Sequence, residues 1–160
     1  MVDLRVEAGL RFLHVPMVRL MSSDHCSVVL RWFEEVWNQR RPETIAELMT
    51  DESICYTDQG PLVGREGFRQ IQYEPLLSAF PDIRVEVDGM VSDGDEVVVR
   101  WTATGTHTGS GLPIPPTMKP ATFTGISWIR VRDGRLQEGW QSSNIAEVIR
   151  RLAEPTSVGT

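Results

Sequence analysis

Three polar side chains in this sequence stand where they could move a proton or polarise a carbonyl: Asp58, His107 and Asn144. A histidine exchanges its proton near neutral pH without help. A carboxyl does so once burial has raised its pKa. An asparagine exchanges none and offers only hydrogen bonds. His107 shares strand parity with Val99, Trp101, Ala103 and Gly105, an apolar set. Two roles are open to it: a pocket base or oxyanion donor, or a residue that bonds a backbone carbonyl and shapes the Gly105–Gly109 corner. Asp58 lies two residues after Tyr56, on the same face. It is either an acid–base carboxyl or the cap of the Gln59-Gly60-Pro61 turn. Asn144 shares parity with Trp140 and Ser142, and either polarises a substrate carbonyl or caps a helix starting at Ile145. Trp37, Tyr56, Tyr73, Phe80, Trp101, Trp128, Trp140 and Ser142 are the candidate contacts for a flat apolar ligand, although for each aromatic the core is the default place. Arg100 is on the opposite face from His107, suited to a salt bridge or to an anionic group.

These residues need elements to hold them. Asp24, behind Ser22-Ser23, offers N-cap chemistry, and Val28, Val29, Trp32, Phe33, Val36 and Trp37 then recur as one helix face. A short helix from Pro42 to about Met49 follows, then a strand over Ser53–Asp58 and a turn at Gly60-Pro61. A helical pattern over Arg65–Phe80 holds Phe68, Ile71, Leu76 and Phe80 inward, with a kink or a break near Gln72 because Pro75 lacks a donor. Beyond Pro81 the period drops to two. Strands are expected from Ile83, over Glu96–His107, Ala121–Arg132 and Arg135–Asn144, with hairpin turns at Ser92–Asp95 and Asp133-Gly134. The proline-rich stretch 108–120 is a loop that rims a cavity or meets a neighbouring subunit. Helices first and antiparallel strands later mean an α+β fold, a curved antiparallel sheet packed with N-terminal helices. With the first helix across it, such a sheet curls into a cone with an open mouth, a natural small-molecule pocket.

The 160 residues suit one domain, with 41% hydrophobic and 24% charged residues. We expect an extension over 1–22, a domain over 23–153 and a tail over 154–160, with Met17 or Met21 as an alternative start. The net charge of −6 disfavours a nucleic-acid partner. No apolar stretch approaches the ~20 residues of a spanning helix, and no clean signal peptide is present, so a cytoplasmic protein is expected. Cys26 and Cys55 read as reduced thiols, and they and His14, His25 and His107 lack zinc-site spacing. Apolar residues on both parities of the late strands, Val97, Val99 and Trp101 against Val98, and Phe123 and Ile129 against Ile126 and Trp128, predict a homodimer through the outer sheet face.

An ordered series of short segments carries a resemblance: Trp37-Asn38, Gly64-Arg65-Glu66-Gly67, Ala79-Phe80-Pro81-Asp82, Val99-Arg100-Trp101, Gly105-Thr106-His107-Thr108-Gly109, Pro115-Pro116-Thr117, and Glu138-Gly139-Trp140. Over about residues 24–152 the chain resembles the SnoaL-like polyketide cyclases (ester cyclases) of the nuclear-transport-factor-2-like (NTF2-like) superfamily. The resemblance implies a cone with a deep apolar cavity, and an intramolecular aldol closure of an aromatic polyketide ester with no metal or organic cofactor. It matches His107 to a family histidine and places Asn144 where the family has a catalytic aspartate. An amide there cannot supply the acid–base step, worth roughly a hundred- to ten-thousandfold. A cyclase, isomerase, hydratase or hydrolase, a binding protein without turnover, and an assembly module all remain compatible with the sequence.

Overall fold

The structure, a computed structural model, describes residues 24–155. The expected extension over 1–22, Ser22-Ser23 and the last residues of the tail lie outside the described residues.

Helix α1 (Asp24–Arg31) runs into a π-helical stretch, Trp32–Asn38. Val29, Trp32, Phe33, Val36 and Trp37 of the predicted face are buried along it, Val28 is partly buried, and Cys26 is buried beside them. At its end Asn38 imitates a strand. Its amide donates to Val85 O at 2.9 Å, and its Oδ1 accepts from Val85 N at 2.8 Å. Helix α2 (Pro42–Leu48) starts on a proline, whose missing N–H costs nothing in a first turn.

Helix α3 (Gly64–Phe68), a second π-helical stretch (Arg69–Tyr73) and α4 (Glu74–Ala79) follow one another directly. Pro75 has no N–H for the i→i−4 ladder. The strain appears as a wide turn just before it rather than as a break. That wide turn also corrects one inward assignment: Ile71 is 65% exposed and Tyr73 is buried in its place.

The sheet has six strands in the order β2-β1-β6-β5-β4-β3. They are β1 (Met49–Thr57), β2 (Gly60–Val63), β3 (Arg84–Asp93), β4 (Glu96–Thr106), β5 (Pro120–Arg132) and β6 (Arg135–Ser143). Gly60-Pro61 opens β2 instead of making the turn, because Asp58-Gln59 turns the chain first. All neighbours are antiparallel except β1 and β6, which run parallel, so the sheet is mixed and unclosed. Its concave face holds Val97, Val99, Trp101 and Ala103 of β4 and Ala121, Phe123, Ile129 and Val131 of β5 against the helices. Helix α5 (Ile145–Ala153) follows β6, and Lys119 Nζ donates to Leu152 O and Glu154 O at its end.

One irregularity decides which side chains of β6 face inward. Val131 pairs with Leu136 and Arg130 with Glu138, so Gln137 is an extra residue in the ladder. Before the bulge Leu136 points into the core. After it the parity is reversed: Gly139, Gln141 and Ser143 pair with the inward residues Ile129, Ser127 and Gly125. A similar shift at Asp88 in β3 sets Met90 opposite Val99 and leaves Val91 58% exposed.

Candidate functional site

A cavity lies between the concave face and the helices. Its walls are mainly apolar, with Trp32, Phe33, Trp37, Phe68, Trp101 and Phe123 as the aromatic part. Its volume is about 100 Å³, several times the ~10–15 Å³ that holds one water. The Trp101 indole crosses over Gly125, where a Cβ would come within 2.3 Å of the ring. Its Nε1–H donates to Ser127 Oγ at 3.0 Å, which settles the one polar atom of that ring. Ser53 Oγ donates to Leu136 O at 2.7 Å. Glu138, the one acid among the lining residues, is held by Arg130 at 2.6 Å. Burial pushes the Cys55 thiol up to about 11, which keeps it protonated and unreactive at neutral pH. Gln72, Gln141 and Ser143 complete the polar lining. No lysine, arginine or histidine lines the cavity, and no group of three potential metal ligands occurs among the described residues.

Asp58, His107 and Asn144 do not share this cavity. His107 has the inward parity of β4 and is fully buried. The Thr117 backbone N–H donates to its Nδ1 at 3.3 Å, and Thr117 Oγ1 lies 3.1 Å away. A backbone N–H only donates, so Nδ1 accepts and the ring proton sits on Nε2. That Nε2 has no partner among the described residues. The ring packs on Phe80, at 5.4 Å between centroids, and Phe80 packs edge-on against Phe123 at 5.0 Å. Phe123 lines the cavity and Phe80 does not, so Phe80 stands between the imidazole and the cavity wall. The loop 108–119 closes over this end. Gly109 lies against Ser78 O, where a Cβ would be only 1.9 Å from the carbonyl oxygen.

Asn144 is exposed, and its N–H and Oδ1 bond Thr124 O and N at 3.1 and 2.8 Å. It thus lengthens the β5–β6 ladder, and its side chain makes no cap bond to α5. Asp58 is exposed and accepts from Ser143 N at 3.0 Å and Ser142 Oγ at 3.4 Å. It therefore ties the end of β1 to the end of β6 on the outer face.

Of the aromatic candidates, Trp37 and Trp101 line the cavity. Tyr73 sits behind them, 5.5 Å from Trp37 between ring centroids, with its buried hydroxyl unpartnered among the described residues. Tyr56, Trp128 and Trp140 belong to the outer face, 38%, 49% and 39% exposed. Trp140 borders the cavity but commits its ring to Tyr56 at 5.7 Å and Trp128 at 6.4 Å. The Arg130 guanidinium lies 5.6 Å from the Trp140 ring centre and pairs with both Glu96 and Glu138. Arg130, and then the Trp128 N–H, hold the Glu96 carboxyl below its ordinary pKa. Gln72, Ser53, Ser127, Glu138, Gln141 and Ser143 are polar lining residues that are not among the candidates drawn from the amino-acid sequence. Phe68, Gln72 and Leu76 at four-residue spacing offered a signal for the first. For the β6 residues the signal is hidden by the bulge.

A six-stranded mixed sheet curled over helices, with an apolar cavity in its hollow, defines the NTF2-like class of α+β proteins. The model of the SnoaL-like polyketide cyclase family matches residues 27–152, and the chain belongs to that family. A candidate SnoaL-like polyketide cyclase from Jannaschia sp. CCS1 superposes with a TM-score of 0.76 at 24% identity, over 83% of this chain and 94% of that one. IdmH, a candidate polyketide cyclase from Streptomyces antibioticus, gives 0.69 at 27% identity, over 82% and 100%. AclR, a candidate hydroxylase from Streptomyces galilaeus, gives 0.72 at 23% identity, over 86% and 85%. No curated protein matches the chain by sequence.

Proposed function

We propose that this protein binds a neutral, flat carbonyl compound of the polyketide type in its cavity, and that the residues lining the cavity move no proton on it. The observation that carries this reading is the chemistry of the lining. Aromatic walls suit a ring system, while among the described residues the one lining carboxylate is ion-paired and burial keeps the one lining thiol protonated. An aldol closure needs a base for the activated carbon and an acid for the forming alkoxide, and neither faces the ligand. Fold membership does not supply them, since one fold hosts many chemistries. The test is incubation with an aromatic polyketide ester, followed by fluorescence of Trp32, Trp37 and Trp101 and by chromatography. Quenching with the ligand recovered unchanged supports binding. A ring-closed isomer of the same mass overturns it in favour of a cyclase.

That second reading, cofactor-free aldol-type cyclisation, has one observation in its favour. His107 Nε2–H is a buried donor without a partner among the described residues, at a desolvation cost of about 1–3 kcal/mol, and one ring separates it from the cavity. In this reading His107 is the acid–base group, and Asn144 and Asp58, both outside the cavity, act only through the strand ends they tie together. His107→Ala then loses about a hundredfold in turnover; an unchanged rate removes the histidine.

A second copy is proposed to cover the outer sheet face, on the strength of the exposed Tyr56, Ile126, Trp128 and Trp140. The Cys55 thiol, outside any disulfide among the described residues, fits a reducing, cytoplasmic setting. No helix among the described residues is long and apolar enough to cross a membrane.

A further inference from the structure

The polar lining of the cavity falls into two sets. Ser53, Ser127 and Glu138 are engaged with Leu136 O, Trp101 Nε1 and Arg130. The side chains of Gln72, Gln141 and Ser143 have no hydrogen-bond partner among the described residues, and the two glutamines are the amides of this set. Each is half-buried, and each carries two donors and an acceptor beside an apolar surface. A polar group so placed is satisfied by water or by a ligand.

The two amides come from different layers. Gln72 sits four residues after Phe68 and four before Leu76, and all three line the cavity, so it belongs to the helix wall. Gln141 sits opposite Ser127 in the β5–β6 register, so it belongs to the sheet wall. It faces inward only because the bulge at Gln137 reverses the parity of β6.

We propose that Gln72 and Gln141 are the specificity-determining pair of the cavity, and that their amides hold the carbonyl or hydroxyl groups of a neutral ring ligand from the helix side and the sheet side. The proposal rests on the binding reading given above. Amides match a neutral carbonyl or hydroxyl because they both donate and accept. A carboxylate would be stripped of water with no cation on the walls to receive it, in a chain of net charge −6.

The test is calorimetric titration with three probes of one shape: naphthalene, the methyl ester of naphthoic acid, and the naphthoate anion. The wild-type protein is expected to bind the ester about tenfold or more tighter than the anion. Gln72→Leu and Gln141→Leu are each expected to weaken ester binding about two- to tenfold, the weight of one neutral hydrogen bond, and to leave naphthalene unchanged. Should the leucine variants also lose naphthalene, the unbranched Gln72→Met and Gln141→Met, which keep the chain's length and remove its hydrogen bonds, decide: retained ester affinity overturns the pair, and weakened ester with retained naphthalene supports it. Unchanged ester binding in both leucine variants, or anion binding as tight as the ester's, overturns the pair while naphthalene binding keeps the cavity reading. A wild-type protein that binds none of the three overturns the cavity reading and the pair with it.

Discussion

The two faces of this sheet are built from the same strands and carry opposite chemistry. On the concave side Trp101 is buried, with its indole nitrogen bonded to a buried serine, and no lining residue offers a readily exchanged proton. On the convex side Trp128, on the neighbouring strand, is half exposed and donates to Glu96 at 2.5 Å, beside an Arg130 that bridges two carboxylates. Aspartate and asparagine candidates for catalysis sit on this second face. Residue type is therefore a poor guide to role in a strand. Parity decides, and one extra residue inverts it.

The largest expected effect contrasts one residue type on the two faces. Trp101→Ala is expected to lower unfolding stability by about 3–5 kcal/mol, because it empties a packed core site. Trp128→Ala in the monomer is expected to cost about 1 kcal/mol or less, as an exposed substitution does. Urea melts of the two variants measure the contrast, and equal losses would break it.

Next is the introduction of a carboxyl on each face. Gln141→Glu places it in the apolar hollow, where lost hydration raises its pKa above the usual carboxylate range. Deuterium exchange at the activated carbon of a bound diketone is expected to speed up about a hundredfold. Asn144→Asp places the carboxyl outside and leaves exchange at the wild-type rate. Equal rates in both variants, read by mass spectrometry, contradict the assignment of inward residues on β6.

A smaller effect probes the proposed covering of the convex face. Wild-type protein at tens of micromolar is expected to scatter as a dimer of the 18.0 kDa chain. Trp128→Glu is expected to weaken the dimer about tenfold or more, since a charge placed in an apolar contact loses its water. A wild-type mass of one chain removes the dimer.

The smallest effect concerns charge far from both faces. Arg150, and then Arg151, hold the Glu147 carboxyl down at about 2 against an ordinary 4.5. The folded value is the depressed one, so its stabilisation is present above the ordinary value and fades as pH falls from about 4.5 toward 2. The side chains are exposed, so salt should erase most of it. A melting-temperature drop for Glu147→Gln at neutral pH and low salt, vanishing at low pH, is the expected result.

Helix positions, the switch of period after Pro81 and the family were all legible in the amino-acid sequence. These rest on local periodicity and on short ordered segments, and neighbours in the chain determine both. The burial of Trp37 and Trp101 was legible for the same reason. The inward side of β6 was not. Extending the parity of Leu136 without a bulge selects Trp140, Ser142 and Asn144, whereas the ladder with β5 selects Gly139, Gln141 and Ser143. Nothing in Arg135-Leu136-Gln137-Glu138 announces the extra residue, because a bulge is a property of two strands and only their pairing reveals it. His107 shows the same division. Its inward parity follows from the strand it ends, but the Phe80 ring that separates it from the cavity comes from a helix end 27 residues earlier in the sequence, and only packing brings the two together.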